Sequence, residues 1–200
     1  MPKIHVLPPH IANQIAAGEV VDRPSSVVKE LVENSIDAGA TAVTIEIENG
    51  GVDLIRILDN GFGIADEDCE TAFLRHATSK IASAGDLFSI RSLGFRGEAL
   101  ASIAAVSRVR LQTQTQDDEL GTLIRYEGGS LVEHRRTGGT RGTSVEVRDL
   151  FYNVPARLKF MKSSRAESAS IGDYIARLIL SAPQIAVHFG NPSFQSGDYT

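Results

Sequence analysis

The sequence predicts an α+β fold in which several neighbouring strands form one sheet with helices gathered on one of its faces. Two patterns support this prediction. Short segments with alternating apolar and polar residues, typical of half-buried strands, recur between residues 41 and 149. Segments with helical periodicity precede, interrupt and follow those strands. The 200 residues are 42% apolar and 22% charged, which is enough for a large domain with a real core.

Two helices are predicted near the amino terminus. Residues 11–17 form an apolar-periodic stretch closed by Gly18, and residues 26–38 form a longer one. Pro24 lies just before the second stretch and Gly39 just after it, which is the expected placement of proline and glycine around a helix.

The later elements follow from the same signals. We expect further helices over residues 66–74, 97–106 and 165–181. We expect strands over residues 41–48, 52–58, 109–115, 122–127, 131–136, 143–149 and about 185–189. The turn Asn49-Gly50-Gly51 predicts that the first two strands form a hairpin. The irregular stretch 75–96 is long for a loop in a compact domain, and such loops are often lids or binding loops.

The second helix carries a polar stripe at the border of its apolar face. Glu30, Asn34 and Asp37 fall within about 60° of one another, whereas Lys29 and Glu33 are predicted to lie in solvent. A solvated flank explains this stripe as well as a cleft does. If it faces a cleft, a carboxylate there can orient an attacking water, and an amide oxygen can ligate Mg²⁺.

The second strand runs into the turn Asp59-Asn60-Gly61-Phe62-Gly63-Ile64. An ordinary glycine turn accounts for this segment by itself. However, an ionised carboxylate accepts hydrogen bonds, and the exocyclic amine of adenine is a donor. Glycines beside it would let a flat base approach the backbone.

A third candidate segment is Gly94-Phe95-Arg96-Gly97-Glu98-Ala99-Leu100, which leads into an apolar helix. A helix amino terminus preceded by glycines can bind phosphate, and Arg96 could add a charge-assisted hydrogen bond. A glycine-hinged loop before a capped helix is the alternative. Thr78-Ser79-Lys80 lies in the preceding loop, where Lys80 could meet a phosphate or water.

Several classes of site are excluded or disfavoured. The chain has no G-x-x-x-x-G-K-[ST] segment, because the glycine-rich stretch 138–144 carries Arg141 where lysine is required. Its five histidines are scattered, which disfavours a metal cluster. Cys69 is the only cysteine, so an internal disulfide is impossible and a reducing compartment is expected. No apolar run is long enough to span a bilayer, and we expect a cytoplasmic protein without membrane contact.

The order of these segments resembles the GHKL ATPase superfamily, which includes DNA gyrase B subunits, Hsp-type chaperones, sensor histidine kinases and MutL. Glu30-Leu31-Val32-Glu33-Asn34 is similar to its first motif, and Asp59-Asn60-Gly61-Phe62-Gly63 to its second. Gly94 to Leu100 is similar to the third, and Gly142-Thr143 to the fourth. A sensor kinase would need a phosphoacceptor histidine domain, and none precedes the first motif.

Longer segments resemble the MutL family of DNA mismatch repair proteins, and the resemblance spans nearly the whole chain. These segments are 11–21, 33–40, 75–81, 94–100 and 150–157, the last reading Leu-Phe-Tyr-Asn-Val-Pro-Ala-Arg. A gyrase-type subunit would lack the wording of that last segment. The resemblance implies a two-layer α/β sandwich, the GHKL or Bergerat ATP-binding fold, with a mixed and largely antiparallel sheet.

The same resemblance implies a role for each motif residue, with ATP and Mg²⁺ as cofactors. Glu30 would be the general base, Asn34 would coordinate Mg²⁺, and Asp59 would hold the adenine amine. The other implied nucleotide-binding residues are Asp37, Ala38, Gly61, Gly63, Ile64, Thr78, Ser79, Lys80, Gly94, Phe95, Arg96, Gly97, Glu98, Ala99, Leu100 and Thr143.

MutL-type ATPase regions continue into a second, smaller domain that supplies a lysine to the γ-phosphate. We therefore expect residues 1–200 to be one GHKL domain that stops before the second domain. We expect these residues to bind nucleotide weakly or moderately, and we expect hydrolysis to need the missing lysine. In the full-length protein, the resemblance implies ATP-driven lid closure and homodimerisation, which act as a clamp, and a MutS-type mismatch-recognition partner. The alternative is a nucleotide-sensing interaction module with little turnover.

DNA contact is a separate question. The net charge of −5 gives no bulk electrostatic support for nucleic-acid binding. Two local basic groups remain, Arg135, Arg136 and Arg141 in one, and Arg157, Lys159, Lys162 and Arg165 in the other. Such groups are usually solvated, although the second could contact phosphates weakly in a full-length dimer.

Overall fold

The computed structural model describes residues 5–80 and 97–190. Its helices are α1 (Pro9–Val20), α2 (Pro24–Asp37), α3 (Asp66–Cys69), α4 (Ala99–Ala105), α5 (Pro155–Leu158) and α6 (Ser164–Ser181). Its strands are β1 (Ala42–Glu48), β2 (Leu54–Asp59), β3 (Arg108–Gln114), β4 (Gly121–Glu127), β5 (Ser130–Thr137), β6 (Gly142–Arg148) and β7 (Ala186–Gly190). Single 3₁₀ turns occur at Asn49–Gly51 and Thr71–Phe73.

The strands form one seven-stranded sheet in the order β5-β4-β3-β6-β2-β1-β7. Strand β7 pairs parallel to β1, and every other neighbouring pair is antiparallel. The predicted α+β fold with a mixed, largely antiparallel sheet is therefore confirmed. The predicted hairpin of the first two strands is also confirmed, because β1 and β2 pair antiparallel with Ile45 opposite Ile57.

Alternation along the strands separates the two faces of the sheet. Val43, Ile45 and Ile47 of β1 are buried, as a period of two requires for one apolar face. The opposite face carries charged side chains that pair with one another. Arg56 lies between two carboxylates there, with its guanidinium nitrogens 2.8 Å from both Glu46 and Glu146.

The helices form a second layer over the apolar face. Helix α2 contacts β1 and β2, α4 contacts β3 and β4, and α6 packs against α2. The core joins these layers and includes Val28 and Val32 of α2, Ile103 of α4 and Ile171 of α6. Within residues 5–80 and 97–190, no helix is long and apolar enough to cross a membrane.

Three predictions about local structure were wrong, and one helix was missed. The first helix does not end at Gly18, because α1 continues through that residue to Val20. The predicted helix 66–74 is a four-residue helix followed by a 3₁₀ turn. The short helix α5 was not predicted. Glu33 was expected in solvent, yet its side chain is only 12% exposed. Helix α6 packs against α2 and brings Tyr174 near Glu33, and the resulting burial raises the pKa of the Glu33 carboxyl despite its hydrogen bond from Lys29.

Candidate functional site

A cleft of about 1440 Å³ opens between α2, the ends of β2 and β6, and the segments 76–80 and 97–100. It exceeds the ~300–1000 Å³ of common small-molecule sites, so a nucleotide fits within it. The lining includes these predicted site residues: Glu30, Asn34, Asp37, Ala38, Asp59, Gly63, Ile64, Thr78, Ser79, Lys80, Gly97, Glu98, Ala99, Leu100 and Thr143. Gly61 lies beside the cleft, and Gly94, Phe95 and Arg96 lie outside the described residues.

Helix α2 forms one wall of the cleft because its polar stripe faces inward. Glu30, Asn34 and Asp37 all line the space, one helical turn apart on the same side. The Glu30 side chain is 23% exposed, and the Lys29 ammonium lies 3.4 Å from it. The carboxylate can therefore reach both the protein wall and a water molecule in the cleft.

Asp59 ends β2 and has both carboxylate oxygens engaged. The Ser35 hydroxyl donates to Oδ2 at 2.7 Å. The backbone N–H groups of Gly61 and Thr143 donate to Oδ1 at 2.9 Å and 3.2 Å. Because two carboxylate oxygens offer about four acceptor positions, one remains for a donor in the cleft. The arrangement is rigid, since Asp59 and Thr143 are also paired across β2 and β6.

Two buried residues in this network were not predicted as site residues. Ser35 is 3% exposed and lies on the apolar side of α2, seven residues after Val28. A serine at a core position of a helix is the signal that could have revealed it. Thr113 of β3 is 1% exposed; its hydroxyl accepts from the Ile64 N–H at 2.8 Å and lies 3.1 Å from the Thr143 hydroxyl.

The segment after the 3₁₀ turn brings a cation into the cleft. The Lys80 ammonium donates to the amide oxygen of Asn34 at 2.9 Å and to the Asp37 carboxylate at 2.6 Å. The Lys80 backbone N–H donates to the Thr78 hydroxyl at 3.1 Å. In this structure, the ammonium therefore occupies the oxygen-lined position that the sequence assigned to Mg²⁺.

The two ends of the predicted lid loop meet at the mouth of the cleft. Glu98 accepts from Arg75 at 3.2 Å and lies 3.3 Å from the His76 ring nitrogen. Gly97 has φ of +61°, and a side chain there would meet the carbonyl of Ala77. A glycine is required at this position because the conformation and the close approach both exclude a β-carbon.

The amide oxygen of Asn34 is a suitable ligand for a magnesium ion. This oxygen faces the cleft and already holds the positive charge of Lys80. Magnesium in nucleotide sites takes few protein oxygens and completes its shell with phosphates and water. Asn34 would therefore hold the ion from α2.

The junction of α1 and α2 contributes a wall that was not predicted from the sequence. Glu19, Val20, Asp22 and Ser26 line the cleft there. The Ser26 hydroxyl donates to the Asp22 carboxylate at 2.5 Å, which braces the first turn of α2. Residues of these types are common at the ends of helices, so the sequence carries no signal for them. Their role as a wall is visible only from their position in the structure.

Three of the seven residues in the predicted basic groups are engaged within the protein, and Arg141 is exposed. Arg135 pairs with Glu133 at 2.6 Å, and Arg136 donates to the Leu120 carbonyl at 2.6 Å. Arg157 donates to the backbone carbonyls of Gln14 and Val21 at 3.2 Å and 3.3 Å. Lys159, Lys162 and Arg165 are exposed.

Comparison with known proteins identifies the family to which this chain belongs. A family model described as "Histidine kinase-, DNA gyrase B-, and HSP90-like ATPase" matches residues 22–134. The DNA mismatch repair protein MutL of Lacticaseibacillus paracasei is 57% identical over 194 residues, covering 96% of this chain and 30% of that protein. MutL of Clostridium botulinum is 55% identical over 196 residues, covering 98% and 29%. The chain thus spans about 30% of the length of the curated relatives it matches.

Solved structures agree with these relatives. The Aquifex aeolicus MutL ATPase domain complexed with ADP matches with a TM-score of 0.71 and 37% identity, covering 86% of this chain and 61% of that one. The amino-terminal domain of a DNA repair protein matches with a TM-score of 0.76 and 29% identity, covering 94% and 54%. The chain therefore belongs to the histidine kinase-, DNA gyrase B- and HSP90-like ATPase family, and within that family its similarity is to the ATPase domain of the MutL mismatch repair proteins.

Proposed function

We propose that this chain binds ATP in the α2 cleft and serves as the ATP-binding and ATP-hydrolysing domain of a MutL-type mismatch repair protein. One observation carries the proposal. Asp59, fixed by three donors, and the Glu30 and Asn34 stripe of α2 line the same cleft. This arrangement offers an acceptor for a base and oxygens for the phosphate end of one ligand.

Asp59 and Thr143 would recognise adenine. The free acceptor position of Asp59 suits the exocyclic amine, which must donate a hydrogen bond. The Thr143 hydroxyl, held 3.1 Å from Thr113, would meet the base through water. Gly61, Gly63 and Ile64, in the turn after β2, would pack beside the base, together with Ala38 of α2's end.

Glu30 would act at the phosphate end as the general base. Its carboxylate would accept a proton from a water molecule as the water oxygen attacks the γ-phosphorus. The bond from that phosphorus to the β,γ-bridging oxygen would break, which leaves ADP and inorganic phosphate. A Mg²⁺ ion held by Asn34 would neutralise charge on the phosphate oxygens, and Asp37 would lie beside this position.

The loop that connects 80 to 97 would close over the phosphates. Thr78, Ser79 and Lys80 line one side of the cleft mouth, and Gly97 to Leu100 line the other. Gly94, Phe95 and Arg96 precede the second side in the sequence and would complete this lid. We propose that residues 1–200 form one ATP-binding domain, which a second domain extends in the longer relatives.

We further propose that ATP binding drives homodimerisation in the full-length protein, as a clamp for a MutS-type partner in the cytoplasm. DNA contact would be weak in this chain. Within the second basic group, the exposed cations Lys159, Lys162 and Arg165 are the remaining candidates, since Arg157 is held by backbone carbonyls.

The decisive experiment compares two substitutions. Asp59→Asn should abolish binding of a non-hydrolysable ATP analogue in calorimetry, because the acceptor becomes a partial donor. Glu30→Ala should keep binding and lose hydrolysis in the full-length protein. Unchanged analogue binding by the Asp59 variant would overturn the assignment of the site.

The second candidate is a nucleotide-sensing interaction module with little turnover. The chain covers only 61% of the ADP-bound Aquifex aeolicus domain, so groups from the remainder are absent from these 200 residues. In that case ATP would reorganise the lid without fast chemistry. Steady phosphate release by residues 1–200, lost in Glu30→Ala, would reject this candidate.

A further inference from the structure

Helix α1 ends without a stabilising residue of its own. Its last turn contains no basic side chain, although the final carbonyls of a helix lack partners within it. A donor from α5, far along the chain, reaches one carbonyl at the end of α1 and one carbonyl inside the helix. The Arg157 guanidinium donates to the carbonyls of Gln14 at 3.2 Å and Val21 at 3.3 Å. A cation at the carboxyl end of a helix is also favoured by the helix dipole.

Gly18 makes room for this contact. A β-carbon at Gly18 would overlap the Arg157 guanidinium, whose atoms are the three nearest to it. Gly18 lies in the α1 helix, where alanine would otherwise be the more stable residue. The glycine is therefore explained by the guanidinium that crosses the helix surface there.

Arg157 is itself fixed from the other side. Its guanidinium carbon lies 5.6 Å from the centre of the Phe151 ring. Phe151 is fully buried, has φ of +67°, and donates its backbone N–H to the Val106 carbonyl at 2.7 Å. A large side chain adopts this conformation only where the surroundings impose it. The turn that carries Phe151 thus anchors Arg157 to the end of α4.

The anchored end of α1 is also the wall of the cleft. Glu19, Val20 and Asp22 line the cleft on either side of Val21, the residue whose carbonyl Arg157 holds. Three residues after Val21, Pro24 begins α2, which carries Glu30 and Asn34. A shift of Val21 would therefore move both this wall and the start of the helix that bears the candidate base.

We infer that Arg157 is a positioning residue for the nucleotide cleft, which acts by fixing the α1–α2 junction over Gly18. The inference rests on the proposed function, because it assigns a role in that same site. It predicts that Gly18 and Arg157 behave as one unit. Loss of either should loosen the wall at Glu19 to Asp22 and weaken nucleotide binding without any direct contact to the nucleotide.

The first test is a double-mutant cycle on thermal stability. Gly18→Ala should lower the melting temperature of the natural chain, because the new methyl group displaces the guanidinium from its two carbonyls. In the Arg157→Ala background, the same Gly18→Ala change should raise it, since the guanidinium atoms nearest to the new methyl group are then gone and alanine favours the helix. Effects of the same sign in both backgrounds would overturn the coupling.

The second test separates positioning from simple stabilisation. At a temperature where circular dichroism shows each variant folded, Arg157→Ala and Gly18→Ala should bind a non-hydrolysable ATP analogue about tenfold more weakly. Lys159→Ala, two residues away and exposed, is the matched control and should bind as the natural chain does. If Arg157→Ala does not fold, Arg157→Lys replaces it, because a lysine cannot hold two carbonyls as the guanidinium fork does.

The outcomes distinguish this inference from the proposed function. If the natural chain binds no ATP analogue, the proposed function fails. If the natural chain binds and the folded Arg157 and Gly18 variants bind equally well, Arg157 only stabilises the fold and the inference is overturned.

Discussion

The ammonium of Lys80 lies 2.9 Å from the amide oxygen of Asn34, which is the oxygen proposed to hold Mg²⁺. A second bond of 2.6 Å to Asp37 fixes the ammonium in place. Both side chains are mostly buried, with 20% of the lysine and 10% of the aspartate exposed. If Asn34 holds magnesium as proposed, lysine and magnesium would compete for the same oxygen, and Lys80 would have to leave when a magnesium nucleotide enters.

Lys80→Met should lower the magnesium concentration needed for half-maximal binding of an ATP analogue, by about threefold or more. The reason is that the competing ammonium is gone from Asn34. The measurement is a magnesium titration at a fixed analogue concentration. The midpoint is compared rather than the absolute affinity. Loss of Lys80 should also weaken binding of the nucleotide phosphates, with or without magnesium, and the midpoint separates the two effects.

Lys159→Met is the control for this titration, because Lys159 is exposed directly after α5 and is not part of the cleft lining. Its midpoint should equal that of the natural chain. A midpoint in Lys80→Met that is unchanged or higher would contradict the competition.

Ser35→Ala should weaken adenine-nucleotide binding by about tenfold, which corresponds to about 1.4 kcal/mol. The hydroxyl donates to Asp59 at 2.7 Å and is buried, so its loss frees one carboxylate oxygen from a fixed donor. Calorimetry with an ATP analogue measures the change in affinity, and circular dichroism checks that the variant is folded.

Ser107→Ala is the matched control for Ser35. Both serines are buried, and each hydroxyl oxygen lies near the carbonyl four residues earlier, that of Ser107 2.6 Å from Ile103 and that of Ser35 3.2 Å from Leu31. Only Ser35 also contacts Asp59. Ser107→Ala should therefore lower stability and leave nucleotide affinity unchanged, and equal affinity losses in the two variants would reject the assignment.

His134 should stabilise the fold more in mild acid than in base. Hydrogen bonds to Glu70 and Asp66 raise the pKa of His134 above 6.5. Because the folded pKa is the higher one, the stabilisation is fully present below pH 6.5 and is lost as the pH rises through the folded pKa. Hydrogen bonds from Thr122 and His134 lower the pKa of Asp66, so its carboxylate stays charged throughout this window.

Urea unfolding of His134→Gln at about pH 5.5 and about pH 9 tests this dependence. The variant should be clearly less stable than the natural chain at the lower pH and close to it at the higher one. His188→Gln, on the exposed strand β7, is the control. A stability difference in His134→Gln that grows with pH would contradict the sign.

Arg56→Met should destabilise the chain by about 2 kcal/mol, because it leaves two poorly exposed carboxylates without their shared cation. The side chains of Glu46 and Glu146 are 10% and 14% exposed. Burial raises the pKa of Glu146, but hydrogen bonds from Arg148 and Arg56 hold it below 4.5. The contribution is therefore present above pH 4.5 and is lost as the pH falls through the folded pKa.

Arg148→Met is the control, since Arg148 bonds the same Glu146 at 2.7 Å but is 47% exposed. It should cost less than about 1 kcal/mol, as exposed ion pairs do. Urea unfolding near neutral pH gives the loss of unfolding free energy in each variant. Equal losses in Arg56→Met and Arg148→Met would show that burial of the carboxylates has no effect.

Local sequence patterns predicted most of the elements. Alternation in 41–48 located β1, and the Asn49-Gly50-Gly51 turn located its hairpin with β2, because strand period and turn chemistry are properties of neighbouring residues. Local patterns did not predict the burial of Glu33, because that burial depends on the packing of α6. They also predicted one helix over 66–74, where the chain forms a short helix and a 3₁₀ turn.

The sequence by itself determined which chemical groups are available, since the stripe Glu30, Asn34 and Asp37 follows from helical spacing alone. Whether that stripe met solvent or a cleft remained open, because helix geometry does not say what lies opposite. Only the tertiary structure decided it, by pairing β2 with β6 and bringing Asp59 to the same cleft. The same holds for Arg157 and Gly18, whose contact joins residues far apart in the chain and leaves no local pattern.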